Sequence, residues 1–595
     1  MEATALRGET SEVFATPEGE LEAIEHLRPV RARVDGAWKP VDTDLAQSAD
    51  GTLVPGAVTV GLEFSGGGDG PLVRLERAGR SLALSWPTTL PAPRVEGDTA
   101  TYPEVLPDVD LRVRAQVDGF SQLLVVKSAQ AAKSPELAEL RVGVESATLS
   151  VREGPAGGVE AVDNGAGGVV FSAPTPMMWD SSGPEQAAPA GQETSGSAAT
   201  AGTAGASAED FPAPTESGKL APLGVDVTAG GGELVLTPDR EVLAGADTVY
   251  PVLIDPQWYS PKATAWTMAS KYWADSPQWR FNDESDAGMG YCNWDYCMPH
   301  DTKRLFYTIP TSRFVGKTIL SAEFVVRETW AASCDPAKVN LWRTRAISSS
   351  TTWNSQYTSD FWIDYVDTQD IAYGRVGCAA ADAEFNVKDT VSLAASRSWS
   401  QVTFGLKAED ETDPNAWKRF SDDAFLRVKY NRPPSQIRMS QLTMDPGGTC
   451  KTASEPARVR ILPKVRASDV TDPDGDSVAV QFQVWWATSA DGWKARWTST
   501  RSTSKSSGSD FGITLPSSIP EHHRVAFRAR SWDGETGHRG APTTAATSSW
   551  TPRHRRNPRS RLWSIHRQRR KIPMIRGLTG WGVTARSPSP VPAVT

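Results

Sequence analysis

Apolar and polar positions alternate with a period of two along much of the chain. In AEFVV (residues 322–326) and VNLWR (339–343) apolar residues tend to fall at every second position, the repeat of a half-buried strand and not of a helix. The runs RLFYTIP, ILSAEFVVRETW, VNLWRTRAI and SWSQVTFGL are short, and turn residues such as Pro310, Gly316 and Asp335-Pro336 break them at intervals. That spacing predicts antiparallel β-sandwiches or jelly rolls. The same pattern fills the N-terminal part, in PVRARVDGAWKPVD, TVGLEF, LVRLERAG, RSLALSW, VDLRVRAQVDGFSQLLVV and AELRVGVESATLSVRE. Asp35-Gly36 and Asp118-Gly119 stand between alternating runs, which signals hairpins. One segment, residues 127–140, reads as a helix interrupted by Pro135.

These patterns divide the chain. Residues 1–180 read as a β domain completed by strands in 223–257, and 181–222 as a disordered linker of Ala, Gly, Ser, Thr, Pro and Glu with too little apolar surface to offset ordering entropy. Residues 258–431 form a Trp-rich sandwich holding 11 of the 22 tryptophans, and so the first place to look for a binding surface. Pro433-Pro434 opens a third β unit, 432–550, with RVRILPKVRASDV, VAVQFQVWWA, FGITLP and HRVAFRARSWDG. The expected fold is all-β and multidomain. No run has the 18 or more apolar residues of a membrane span.

Charge and cysteine change the picture at two points. Residues 551–595 carry 11 Lys plus Arg and no acid, whereas residues 1–550 have a net charge of −20. A basic tail suits nucleic acid, but strand patterning stops near Trp550, so the tail is expected to be a shifted reading frame and nucleic-acid binding is discounted. Cys292 with Cys297, and Cys334 with Cys378, read as disulfides of an oxidising compartment. A zinc site is the rival, but Cys-x4-Cys with only His300 nearby matches it poorly. Cys450 is left over. The N-terminus EATALRGETSEVF has neither the basic nor the apolar region of a signal peptide, although an extracellular or cell-surface location is expected.

Catalytic signals are sparse. The chain has 7 histidines and no HExxH, GxSxG or GxxxxGK[ST] motif. His522-His523 beside Glu521 reads as an exposed turn, and Glu323 and Glu328 are candidates for a paired-carboxylate glycosidase site that a solvated strand face explains equally well. Asp472, Asp474 and Asp476 in TDPDGDSV alternate as hard-oxygen ligands would, making calcium a candidate, but the distant Glu of an EF-hand is missing and an acidic turn explains them. Trp273, Trp279, Trp294 and Tyr291 lie near Asp283, Glu284 and Asp286, the ingredients of a sugar platform. Trp279, Trp294, Tyr291, Asp283 and Asp286 are therefore the candidate ligand residues, with loop positions preferred because loops on rigid scaffolds carry function.

PVRARVDGAWKPVDTDL, TYPEVLPDVDL, TVYPVLIDPQW, RLFYTIP, GKTILSAEFVVRETWAASC, VNLWRT, STTWN and VTDPDGDSVAVQFQVW are spread over most of residues 20–550. In them the chain resembles the non-catalytic β-rich part of large bacterial exported proteins that join a DNRLRE-type sandwich to fibronectin-like and LamG-like jelly-roll domains. Similar N-terminal segments occur in RHS-repeat proteins. The literal DNRLRE hexapeptide is absent. The resemblance implies a partner for Cys450 near residue 550 and further domains beyond it. With catalytic motifs missing and a sugar platform among the candidates, the expected function is a non-enzymatic exported or cell-surface scaffold or adhesion protein binding polysaccharide or cell-wall glycan. The alternatives are a presentation segment of an RHS-like assembly and an unrecognised secreted hydrolase.

Overall fold

The structure is a computed structural model. It describes residues 1–550 except 18–19, 155–156, 183–218, 263, 282–286, 295–296, 298, 359, 451–455, 521–522 and 534–545. The linker predicted for 181–222 therefore falls mostly outside the described residues, as does the basic tail. The fold is all-β, built from several almost wholly antiparallel sheets.

The alternation works as it does because each strand has one face to bury. In Val109–Gln116 every second residue is buried, and it pairs with Gly119–Val126 from Gln116↔Gly119 onward across the Asp118-Gly119 turn. A Cβ at Gly119 would lie 1.9 Å from the Trp258 carbonyl oxygen, so the close approach of that backbone requires glycine. At the other predicted hairpin Asp35 and Gly36 have φ of 52° and 80°, the left-handed pair of a type I′ turn joining Arg31–Val34 to Ala37–Pro40.

An eight-stranded and an eleven-stranded sheet enclose the first core, where Phe64 of one meets Phe120 of the other, ring centroids 6.0 Å apart. Gly224–Val227 and Glu233–Thr237 extend the smaller sheet, and Val252–Asp255 and Gln257–Tyr259 the larger. Leu220–Pro222, placed in the linker by composition, is a strand against Met177–Trp179. The third unit packs a four-stranded on a five-stranded sheet around Val465, Phe482, Phe511 and Phe527.

The second unit is one thirteen-stranded sheet folded on itself. Phe324 in Thr318–Ala331 meets Tyr307 in Asp301–Pro310 at 5.6 Å and Phe404 in Gln401–Ala408 at 5.0 Å, which closes the sandwich. Its outer strands come from the far N-terminus: Ser11–Ala15 pairs with Leu21–His26, and that strand pairs with Phe425–Asn431. Composition assigns these residues to the first unit; backbone pairing gives them to the second.

Helices depart from expectation in both directions. Residues 127–140 yield only a 3-10 turn, Ala131–Lys133, and one α turn, Pro135–Ala138. The unexpected Lys388–Arg397 lays Val391, Ala394 and Ala395 into the second core.

Candidate functional site

The structure separates the aromatic residues singled out by sequence. Trp279 lies in Gln278–Trp279, against Ala265–Ser270, and its indole N–H donates to the Tyr259 hydroxyl at 3.0 Å. Tyr291 lies in Gly288–Cys292. Lys303 is paired with both Ser270 and Gly290, so two strands stand between Trp279 and Tyr291. Trp294 is 36% exposed, and its indole N–H donates to the Pro414 carbonyl at 3.2 Å. Asp283, Glu284 and Asp286 lie outside the described residues.

Cys292–Cys297 and Cys334–Cys378 are bridged, with Cα separations of 5.8 and 5.7 Å. The first bridge is wholly buried beside Trp417, so it anchors its loop to the sandwich instead of lying on the surface. Cys450 is free, and burial pushes its thiol up to about 12.

The acidic turn is built as a structural knot. Asp472 accepts from the Asp474 backbone N–H at 2.7 Å, while Asp474 receives the Arg432 backbone N–H and guanidinium at 2.7 and 2.5 Å. Burial, then Asp474 and Asp533, push the Asp472 carboxyl above the usual range. Among the described residues no three acidic, histidine or cysteine side chains are grouped to hold a metal, so Asp472, Asp474 and Asp476 do not form a calcium cage there. Glu521 and His522 lie outside the described residues, and His523 opens the strand His523–Asp533.

Glu328 is not solvated. Its side chain is fully buried against the equally buried Lys418, N to O 3.1 Å. Burial pushes the acid up and the amine down, each opposed by the partner's charge. Glu323 is held by Arg427 at 2.8 Å. Each carboxylate meets a cation, Glu328 through Oε1 and Glu323 through Oε2.

A different cluster stands on the outer face of the second sandwich. In Ala337–Thr344, Val339 and Leu341 enter the core, which leaves Asn340 and Trp342 on the other face. Opposite them in Gln401–Ala408 are Lys407 and Gly405. Beyond, Arg304 and Phe306 belong to the same outer row, since Leu305 and Tyr307 are core and Phe306 pairs with Gly405. Trp342 pairs on its other side with Tyr365 in Trp362–Ile371.

These side chains interlock. Trp342 is edge-on to Trp362 at 6.1 Å and to Tyr365 at 5.6 Å. A Cβ at Gly405 would come within 2.8 Å of the Trp362 ring, so glycine lets that indole settle on the sheet. The Lys407 ammonium is 4.7 Å from both the Trp342 and Trp362 rings. The Arg304 guanidinium lies 4.4 Å from Trp353 and 5.3 Å from Trp362. Arg304 grips Glu411 with two bonds of 2.7 and 2.6 Å and donates to Gln356 at 2.7 Å. The Trp353 indole N–H donates to the Tyr357 hydroxyl at 2.9 Å. Tyr357 is 67% and Tyr365 51% exposed, so the rim faces solvent.

Three polar atoms of this face are buried without a hydrogen-bond partner: Trp342 Nε1, Asn340 Oδ1 and Gln356 Nε2. Folding leaves such groups unpaired only at a cost of about 1–3 kcal/mol each. Sequence reasoning passed over this face because it preferred loops. The signal was present: in VNLWR the tryptophan falls on the polar phase of the alternation.

No protein-family model matches the chain, and no curated protein does. Among solved structures it is similar to Parabacteroides merdae beta-glucuronidase, with 10% identity over 42% of this chain and 27% of that one, TM-score 0.14. Bacteroides uniformis beta-glucuronidase 2 gives 8% identity over 48% and 31% of the respective chains, TM-score 0.14. Bifidobacterium dentium beta-glucuronidase complexed with coumarin-3-O-glucuronide gives 10% identity over 48% of each chain, TM-score 0.14. The matched region is thus less than half of each of these proteins, and scores of this size carry no argument about fold or function.

Proposed function

We propose that this is an exported, non-catalytic scaffold or adhesion protein that binds polysaccharide through the outer face of its second sandwich. The observation that carries the reading is the joining of Trp342, Trp362 and Tyr365 to Arg304, Lys407 and Glu411 on one sheet face, with unpaired polar atoms among them. A sugar ring offers C–H surface to an aromatic ring and hydroxyls to its polar neighbours, so it suits both halves of this surface. The disulfides agree with an extracellular location, and among the described residues no helix is long and apolar enough to cross a membrane. The carboxylates Glu328, Glu323 and Glu411 are each bound by a cation, which favours binding over hydrolysis.

The test is a glycan array and cell-wall pull-down with the oxidised full chain. Trp342→Ala plus Trp362→Ala is set beside Trp279→Ala plus Trp294→Ala, with circular dichroism to confirm folding. Loss of at least about tenfold in affinity is expected for the first pair alone, the weight of buried aromatic anchors. Loss confined to the second pair would move the site to the Cys292–Cys297 side. Binding to nothing would leave a structural spacer, and release of reducing sugar would make the protein a hydrolase.

A further inference from the structure

Lys407 is the least reconciled charge on the outer face. Its ammonium lies between two indoles, half-buried, and takes part in no ion pair or hydrogen bond with the described residues. The carboxylate whose charge acts on it, Glu411, is already gripped at both oxygens by Arg304. Burial, and behind it the like charge of Arg304, pushes the Lys407 ammonium below the ordinary lysine range; Glu411 opposes this only in part. Its neighbour across the ladder, Asn340, carries an amide oxygen without a partner.

The fold therefore holds a cation in a place that penalises it. Two cation–π contacts return part of the cost, but a second cation nearby works against them. Arg304 has no comparable freedom, since Glu411 and Gln356 fix its plane. Among the described residues, the surface thus offers an incoming ligand the Lys407 ammonium as a directed positive charge set among aromatic rings. We infer that the ligand of this face carries a carboxylate on its sugar ring, a uronic-acid polysaccharide whose carboxylate pairs with Lys407 while the ring rests on Trp342 and Trp362. A single ammonium matches one carboxylate per residue; a densely sulfated chain needs a cluster of unpaired cations, and Arg304 is not free to make one.

This rests on the polysaccharide reading, and the experiment separates the two. The full-length protein is titrated with polygalacturonate, the same polymer after carboxyl reduction, and dextran sulfate, at several salt concentrations. Wild type, Lys407→Gln, Lys407→Arg and Trp362→Ala are compared. Polygalacturonate is expected to bind at least about tenfold more tightly than its reduced form, the size of a charge-assisted hydrogen bond. Lys407→Gln removes that preference and flattens the salt dependence, Lys407→Arg retains part of it, and Trp362→Ala weakens both polymers. Lys407→Gln should not lower the melting temperature, because it removes a penalised charge. Equal binding of charged and reduced polymer, unaltered in Lys407→Gln, overturns the carboxylate inference and leaves the platform standing. Dextran sulfate preferred over polygalacturonate overturns it in favour of a sulfated ligand. Binding of none of the three overturns it, and the broader glycan array then decides the platform itself. A destabilised Lys407→Gln with undiminished binding makes Lys407 a brace for the indoles and overturns it as well.

Discussion

Asp255 shows how one half-buried acid ties the first unit to pH. It ends the strand Val252–Asp255, where Gln257 donates to one oxygen at 3.3 Å and the other is buried without a partner. Desolvation pushes the carboxyl from the usual 3.8 up to about 7, opposed only by the Gln257 bond. A raised acid binds its proton more tightly folded than unfolded. Its stabilisation is therefore complete below about pH 4 and lost as pH rises through about 7, by up to ~4 kcal/mol. Urea midpoints should fall between pH 4 and pH 8 in the wild type and fall less in Asp255→Asn, which should be the more stable of the two at pH 8. Glu328 and Asp472 shift in the same direction in the other units, so the wild-type-minus-variant difference is the quantity to read. An unchanged difference across that range would show that Asp255 ionises freely in the fold. The same accounting explains why the sequence misassigned Glu328: strand alternation says which face a residue is on, not that a lysine 90 positions away will follow it inward.

At the scale of elements, the N-terminal hairpin is the segment whose place no local pattern announces. Val13, Leu21, Ala23 and Leu27 are buried in the second core, and Leu21 pairs with Tyr430. Arg313 reaches across to Glu25 and to Ser11 Oγ, and Arg28 grips Asp422 at 2.9 and 3.0 Å. Burying those side chains is worth on the order of 5 kcal/mol, and the hairpin covers Phe425–Asn431, which would otherwise be an open edge. A chain beginning at residue 29 should melt lower in its second unit and scatter light on warming, and a peptide of residues 1–28 should restore both. An unshifted transition would mean that the hairpin only decorates the sheet. The strands themselves were legible because period-two alternation is a local consequence of one buried face, and the Asp-Gly hairpins because turn chemistry is local too. Partner and face were not. Pairing across 400 residues leaves no local trace. Reading Trp342 as a surface aromatic required trusting the phase of VNLWR over the general preference for loops. Trp279, chosen by that preference, serves a joint between units through its bond to Tyr259.

That joint sets the behaviour of the whole molecule. The chain leaves the second sandwich after Leu27, builds the first unit and returns near Lys262, where Lys262 pairs with Glu9. Between the two crossings Arg280 grips Asp118, the residue of the first unit's Asp-Gly turn, with two bonds of 2.8 and 3.0 Å. Both side chains are over nine-tenths buried, at 8% and 5% exposure. The guanidinium also lies 4.1 Å from the Tyr259 ring and 4.6 Å from Trp266, one ring from each side of the joint. A buried ion pair is costly to break from one side, because the remaining charge keeps its desolvation penalty without its partner, typically about 3–5 kcal/mol. Nearly all of that penalty should appear as coupling between units rather than as stability within either, since Arg280 and Asp118 each sit on a turn. Differential scanning calorimetry of the wild type is therefore expected to show the first and second units melting together. Arg280→Ala should split that endotherm, and Asp118→Asn should do so less, because it keeps a hydrogen-bonding oxygen for the guanidinium. The double variant should cost less than the sum of the two. A single endotherm persisting in Arg280→Ala would mean that the remaining contacts of the joint, such as the Trp279–Tyr259 bond, and not this ion pair, transmit cooperativity across it.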